Sequence, residues 1–113
     1  MSTSVAAKPK FERPTKFVSK EFIEELRNLP VPNNAISEFT FYRTYSRYIE
    51  ELGRRETWLE AAVRAGEYSV ELAIKQMKKA GKWSDDLMPI FVKEAEDLIR
   101  NMYLVFPFLI LLS

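Results

Sequence analysis

The stretch from Phe39 to Trp58, FTFYRTYSRYIEELGRRETW, carries the clearest structural signals of this chain. Its aromatic and aliphatic side chains recur every three or four residues as far as Leu52, which is the period of a helix with one buried face. Gly53 follows where a left-handed helix-ending residue is wanted, and Thr57 with Glu60 matches a capping box. The stretch therefore predicts the end of one helix and the start of another.

Similar signals lie on the amino-terminal side of this stretch. Ser19 is a good N-cap for a first helix, which two prolines should end at about Leu29. Ser37 opens the second helix. Residues 1–17 have no apolar period and little to bury, so we expect them to form a flexible arm.

On the carboxyl-terminal side the pattern predicts two more helices. The third runs to Gly81, and Gly66 within it is expected to break or bend it, because a glycine inside a helix costs about 1 kcal/mol relative to alanine. The fourth begins near Met88 or Pro89, since proline is tolerated only in the first turn. No strand alternation is visible, so the sequence predicts an all-α fold of about four amphipathic helices over residues 18–103.

Residues 104–113 form an apolar tail, LVFPFLILLS, which is too short to span a bilayer as a helix of about 20 residues. Pro107 argues further against a helix there. We interpret the tail as a segment buried in a larger protein, with a peripheral membrane anchor as the less favoured alternative.

Composition excludes several classes of function. The 113 residues include 17 basic and 16 acidic side chains, and this balance argues against a nucleic-acid protein that works by bulk electrostatics. There is no cysteine and no histidine, so disulfides, thiolate metal sites and cysteine nucleophiles are absent. The first residues, MSTSVAAKPKFERPTK, lack the apolar core of a signal peptide, which predicts a cytoplasmic protein.

Arg54 and Arg55 are the candidate binding residues. They lie just before the start of the third predicted helix, where exposed N–H groups and two guanidinium groups are suited to hold a phosphate. The simpler interpretation, which we favour, is that they pair with neighbouring glutamates, namely Glu50, Glu51 and Glu56.

Two other clusters have simple explanations. Arg43 and Arg47 stand among tyrosines, a pattern that occurs in single-stranded nucleic-acid sites, but here it is better explained by arginines at the edge of a core stripe. Glu94 and Asp97 share a helix face without a histidine or a second carboxylate pair, so a solvated face is favoured over a metal site.

Several separated segments together resemble one enzyme family. They are Tyr42–Arg47, Gly53–Trp58, Glu94–Leu98, Asn101–Tyr103 and Phe106–Pro107. Over about Ile36 to Pro107 the chain resembles the N-terminal helical region of adenosylcobalamin-dependent (class II) ribonucleotide reductases, of the ribonucleoside-triphosphate reductase type. The resemblance does not decide between a diphosphate and a triphosphate substrate for the intact enzyme.

The resemblance implies a helical segment that precedes a ten-stranded α/β barrel. In that family adenosylcobalamin generates a thiyl radical on a barrel cysteine, and a cysteine pair supplies the electrons. This chain has no cysteine and departs from the family pattern after Pro107. We therefore expect it to bind no cofactor, to contain no catalytic residue and to be inactive alone, as a truncated, split or mis-terminated piece of a reductase.

The expected partner is the barrel domain or the remaining reductase chain. We expect packing against it through the face that bears Tyr45, Tyr48, Leu98 and Met102. The alternative function is a free-standing helical module that binds another protein, because four short amphipathic helices are enough to close a small bundle.

Overall fold

The computed structural model describes residues 10–29 and 46–112, with side chains described as far as residue 105. These residues form three helices, α1 (Lys20–Arg27), α2 (Trp58–Lys79) and α3 (Met88–Leu112), and a two-stranded hairpin of β1 (Tyr48–Ile49) and β2 (Arg54–Arg55). The predicted helical fold class is confirmed. The predicted segments 1–9, 30–45 and Ser113 lie outside the described residues, and so do Ser37, Arg43 and Tyr45.

The helix boundaries follow the capping signals. The Ser19 hydroxyl accepts the Phe22 amide hydrogen at the start of α1. The Thr57 hydroxyl accepts the Glu60 amide hydrogen while the Glu60 carboxylate accepts that of Thr57, so the predicted capping box starts α2. At the end of α2, Gly81 has φ of 72°, and the amides of Gly81 and Lys82 bond back to earlier carbonyls as in a Schellman motif.

The second predicted helix is wrong over its last residues. Instead of helix, Tyr48–Ile49 is a strand that pairs antiparallel with Arg54–Arg55, and a short 3₁₀ turn, Glu50–Leu52, connects them. Gly53 has φ of 65°, and this left-handed residue returns the chain toward β1. The side chain of Ile49 is buried, so the hairpin keeps the apolar side chain inside without a helix.

Replacing Gly53 by alanine should therefore destabilise the protein by about 1–2 kcal/mol, the cost of a left-handed conformation for a residue with a Cβ. An added Cβ would meet nothing within 4 Å, so the cost is conformational and not steric. Gly53→Asn is the matched control, because asparagine tolerates this conformation better and should cost less. Urea unfolding of both variants tests this, and equal losses would contradict it.

The core lies between the three helices. Leu26 of α1, Leu59 of α2 and Ile99 of α3 are all fully buried. Gly66 of α2 faces Ile99, whereas Trp58, eight residues earlier, contacts Tyr103, so α2 and α3 run antiparallel. The Trp83 ring stacks on that of Phe91 where the chain turns between them.

Gly66 does not break α2, contrary to expectation, since the helix is continuous over 22 residues. A Cβ at this position would come within 2.5 Å of the Ile99 Cγ1 atom. The glycine therefore serves close packing between α2 and α3, and the packing offsets its low helix propensity.

Helix α3 continues through Pro107, where the sequence argued against a helix. Proline has no N–H, so the carbonyl of Tyr103, four residues earlier, loses its helical partner. The indole N–H of Trp58 donates to that carbonyl at 3.1 Å. A side chain from α2 thus satisfies the group that the proline leaves without its helical hydrogen bond, and α3 is not interrupted there.

Candidate functional site

Arg54, the first candidate residue, lies at the base of the hairpin beside the start of α2. Its guanidinium group makes a two-pronged contact with Glu60, with Nη1 donating to Oε1 at 2.8 Å and Nη2 to Oε2 at 3.0 Å. Nη2 also donates to the Glu12 carboxylate at 2.9 Å. The expected ion pairing of Arg54 is confirmed, but the expected partners are wrong. The carboxylates belong to Glu60 of α2 and to Glu12, which is 42 residues away in sequence.

Arg55 points elsewhere. Its Nη1 atom donates to the carbonyl oxygen of Ser46 at 2.9 Å, which braces the opposite strand of the hairpin. Among the described residues, the side chains of Arg54 and Arg55 therefore contact different groups and share no partner. Anion binding by Arg54 and Arg55 stays a prediction, and Arg54 already contacts two carboxylates.

A second buried glutamate, Glu56, lies between the hairpin and α2. Arg64 donates to it through Nε at 3.1 Å and Nη2 at 2.6 Å, and the amide of Arg47 donates at 3.2 Å. Arg13 lies at the limit of ion pairing, 4.0 Å away. The Glu56 side chain is 0% exposed, so these partners take the place of the water that an exposed carboxylate would contact.

A third buried glutamate, Glu67, is in the middle of α2. One of its oxygens, Oε2, accepts the backbone N–H groups of Lys16, Phe17 and Val18 at 2.8, 2.6 and 3.2 Å. Residues 10–17, which the sequence predicted as part of a flexible arm, therefore include a segment that is hydrogen-bonded along α2. The physical reason is that successive amides find a carboxylate acceptor, which composition alone does not reveal.

Burial and hydrogen bonding have opposite effects on the pKa of Glu60. Burial by itself would raise the pKa of its carboxyl group, but the hydrogen bonds from Arg54, Thr57 and Glu12 outweigh burial and lower the pKa below 4.5. The same contact with Glu60 raises the pKa of Arg54, against the opposing effect of burial. Both groups are charged at neutral pH.

This depressed pKa predicts a pH dependence of stability. A carboxyl group whose pKa is lowered on folding contributes stability that is complete above its unfolded pKa and is lost as the pH falls through its folded pKa. The stability difference between the native chain and Glu60→Gln should therefore shrink from about pH 6 to about pH 3. Urea unfolding across this range measures it.

The control for that experiment is Glu94→Gln. Glu94 is exposed on α3, and no ion pair of it is seen among the described residues. Because Glu94 is exposed, Glu94→Gln should change the free energy of unfolding only slightly. A Glu60→Gln difference that stays constant over the range would contradict the assignment of Glu60 as a charged, hydrogen-bonded anchor.

The burial of these carboxylates is not evident from the sequence. Glu60 was recognised only as a capping residue and Glu67 was not singled out, although both lie on the side of α2 that also carries Leu59, Val63 and Val70. The available signal is that Glu60 and Glu67 fall at the same helical spacing as the apolar residues of α2, which indicates that they share the buried side. Their backbone partners in residues 12–18 are 48 to 51 residues away in sequence, too distant for any local pattern.

The side chains of this chain supply no thiol for the radical chemistry of the family that it resembles. The chain has no cysteine or histidine, and in the described ranges no group of three or more acidic side chains is placed to hold a metal ion. Every buried side-chain nitrogen or oxygen in those ranges has a hydrogen-bond partner. No helix within the described part of the chain is long and apolar enough to cross a membrane.

Comparison with known proteins identifies the family. The family model described as the ribonucleotide reductase alpha domain matches residues 18–109. No similar curated protein and no similar solved structure was found. The match covers α1, the hairpin, α2 and most of α3, and it extends over most of the 113 residues. The chain therefore belongs to the ribonucleotide reductase alpha domain family.

Proposed function

We propose that this chain is the N-terminal helical domain of an adenosylcobalamin-dependent ribonucleotide reductase, and that it acts by packing against the catalytic barrel and not by chemistry. The family match supports the reductase assignment. The cobalamin class rests on the resemblance of Tyr42–Arg47 and Gly53–Trp58 to that class. Without a cysteine, these 113 residues offer no thiol for the radical step, so catalysis belongs to the rest of the enzyme.

The observation that carries the packing role is that α3 has a second apolar face. One face buries Ala95, Ile99 and Tyr103 in the domain's own core. Large apolar side chains are exposed elsewhere on the same helix, namely Ile90, Leu98, Leu104 and Val105. Ile90, Leu98 and Val105 are seven or eight residues apart, about two helical turns, so they lie along one side of α3.

The contact face expected from sequence needs one change. Tyr48 and Leu98 are exposed, at 58% and 41%, but Tyr48 belongs to the hairpin and only Leu98 lies on the helix with the second apolar face. Met102 is partly buried against the domain's own core, and its Cε atom lies 3.4 Å from where a Cβ on Gly66 would be. Tyr45 lies outside the described residues. We therefore place the contact on the outer side of α3.

Co-expression with a separately encoded barrel of a cobalamin-dependent reductase tests this proposal. We expect the two polypeptides to co-purify as a complex on size-exclusion chromatography. Leu98→Glu should abolish the complex and leave the thermal unfolding of the isolated domain almost unchanged, because Leu98 is exposed. Leu72→Glu is the matched control, since Leu72 on α2 is 43% exposed and lies outside the proposed face.

Two outcomes would overturn the proposal. If no complex forms and the barrel does not gain solubility, the packing role is wrong. If a barrel from a reductase of another cofactor class binds as tightly, the cobalamin assignment is wrong while the packing role survives. Deoxynucleotide formation by the purified 113-residue chain, with adenosylcobalamin and a dithiol but no barrel, would contradict the non-catalytic role.

A further inference from the structure

Residues 12–18, which we call the strap, lie along α2 and alternate in exposure. Glu12, Pro14 and Lys16 are exposed, whereas Arg13, Thr15 and Phe17 between them are half-buried. The strap is not a strand, because the chain bends at Arg13 and again over residues 16–18. Its amides bond to carboxylates and not to the hairpin sheet. Its attachment to the domain therefore depends on side-chain acceptors.

Two glutamates on one helix provide the attachment. Glu67 accepts the amides of Lys16, Phe17 and Val18 on a single oxygen. At the other end of the strap, Glu60 accepts the amide of Glu12 at 2.8 Å. Glu60 and Glu67 are seven residues apart, about two turns, so both lie on the side of α2 that the strap crosses.

Between the two attachment points the strap does not pack closely on the helix. A groove of about 260 Å³ lies between them, lined by Arg13 and Pro14 from the strap and by Arg64 and Tyr68 from α2. The bonded amides of the strap are thus at its two ends, and Arg13 and Pro14 between them line the groove. Phe17 packs against the core next to Val18, but residues 12–16 of the strap contribute no side chain to the core cluster. Segments with few apolar contacts open at a lower free energy than the core does.

We propose that the strap is a conformational latch that opens as one unit while the three helices stay folded, with Glu67 as the principal anchor. Opening releases the Glu12 carboxylate from Arg54 and uncovers the groove along α2. The inference does not depend on the reductase class, because it follows from contacts within this chain. Val18 is buried in the core and marks the hinge at which the strap joins α1.

Amide hydrogen exchange measured residue by residue tests the latch. In the native chain the amides of Glu12, Lys16 and Phe17 should exchange faster than those of Val70 and Ile99, and with little dependence on low concentrations of urea. Glu67→Gln should increase exchange at Lys16 and Phe17 by about tenfold, because it replaces charge-assisted hydrogen bonds with neutral ones.

The decisive residue is Glu12. Its amide is bonded to Glu60 and not to Glu67, so it should also exchange faster in Glu67→Gln if the strap opens as a unit. Glu71→Gln is the control, since it removes only the exposed ion pair with the Lys16 side chain and should leave these amides unchanged.

Two results would overturn the proposal. One is an unchanged Glu12 amide in a folded Glu67→Gln chain, which would mean that the two ends open independently. The other is exchange of the native strap amides only through global unfolding, with the same urea dependence as Val70. This second measurement needs no variant, so it remains decisive if Glu67→Gln fails to fold.

Discussion

Replacing Arg64 by methionine should lower the free energy of unfolding by about 3–5 kcal/mol, which is the usual cost of breaking a buried ion pair by removing one partner. The Glu56 side chain is 0% exposed, and Arg64 makes two of its hydrogen bonds. Methionine keeps most of the apolar stem of Arg64 but leaves the Glu56 carboxylate, among the described residues, with only the Arg47 amide and with Arg13, which is 4.0 Å away. Urea unfolding measures the loss.

Lys16→Met is the matched control for this prediction. Lys16 pairs with Glu71 on the surface, where both side chains are largely exposed, so its loss should cost about 0–1 kcal/mol. Combining Arg64→Met with Glu56→Met should recover part of the loss, because no unpaired buried charge then remains. The prediction fails if Arg64→Met is no more destabilising than Lys16→Met.

The second large effect is expected at the contact between α2 and α3. Ile99→Ala should cost about 2–5 kcal/mol, because Ile99 is 0% exposed and its truncation leaves a cavity. Gly66→Ala in the native chain should also destabilise, because its Cβ would lie 2.5 Å from Ile99 Cγ1, and overpacking costs about 1–3 kcal/mol. Because the close atom is Cγ1 and not the far end of a flexible side chain, we expect a cost in the upper part of that range, above the gain in helix propensity of about 1 kcal/mol.

In the Ile99→Ala background the sign of Gly66→Ala should reverse. The clashing atoms are then gone, the closest remaining neighbour is Met102 Cε at 3.4 Å, and alanine becomes the better helix residue. A double-mutant cycle of unfolding free energies measures this reversal. Ser69→Gly, at an exposed position of α2, is the control and should cost the same in both backgrounds. Stabilisation of the native chain by Gly66→Ala would contradict the packing role of Gly66.

The parts of the fold that local chemistry specifies were predictable from sequence. Ser19, the Thr57–Glu60 capping box and Gly81 act within four residues of themselves, and the structure confirms each. The hairpin was not predictable in this way. Each of its strands has two residues, too few to alternate, while the tyrosine spacing before them satisfies a helical period equally well.

The candidate site was predictable only in part. Arg54 was singled out and an ion pair was expected, but its partners Glu60 and Glu12 could not be chosen by proximity in sequence. Glu67 contacts backbone amides, which carry no side-chain signature. A charged residue in a helix is usually solvated, so exposure of Glu67 is the ordinary expectation. Its burial becomes evident only from the structure, where the strap covers it.

The hydrogen bond from Trp58 to the Tyr103 carbonyl also gives this domain an optical reporter. The chain contains two tryptophans, and Trp83→Phe would leave Trp58 as the single indole emitter. Because that indole is tied to α3 beside its proline, separation of α3 from α2 should shift the emission to longer wavelength. Fluorescence titration with a barrel polypeptide then distinguishes docking that leaves the α2–α3 pair intact from docking that pulls α3 away.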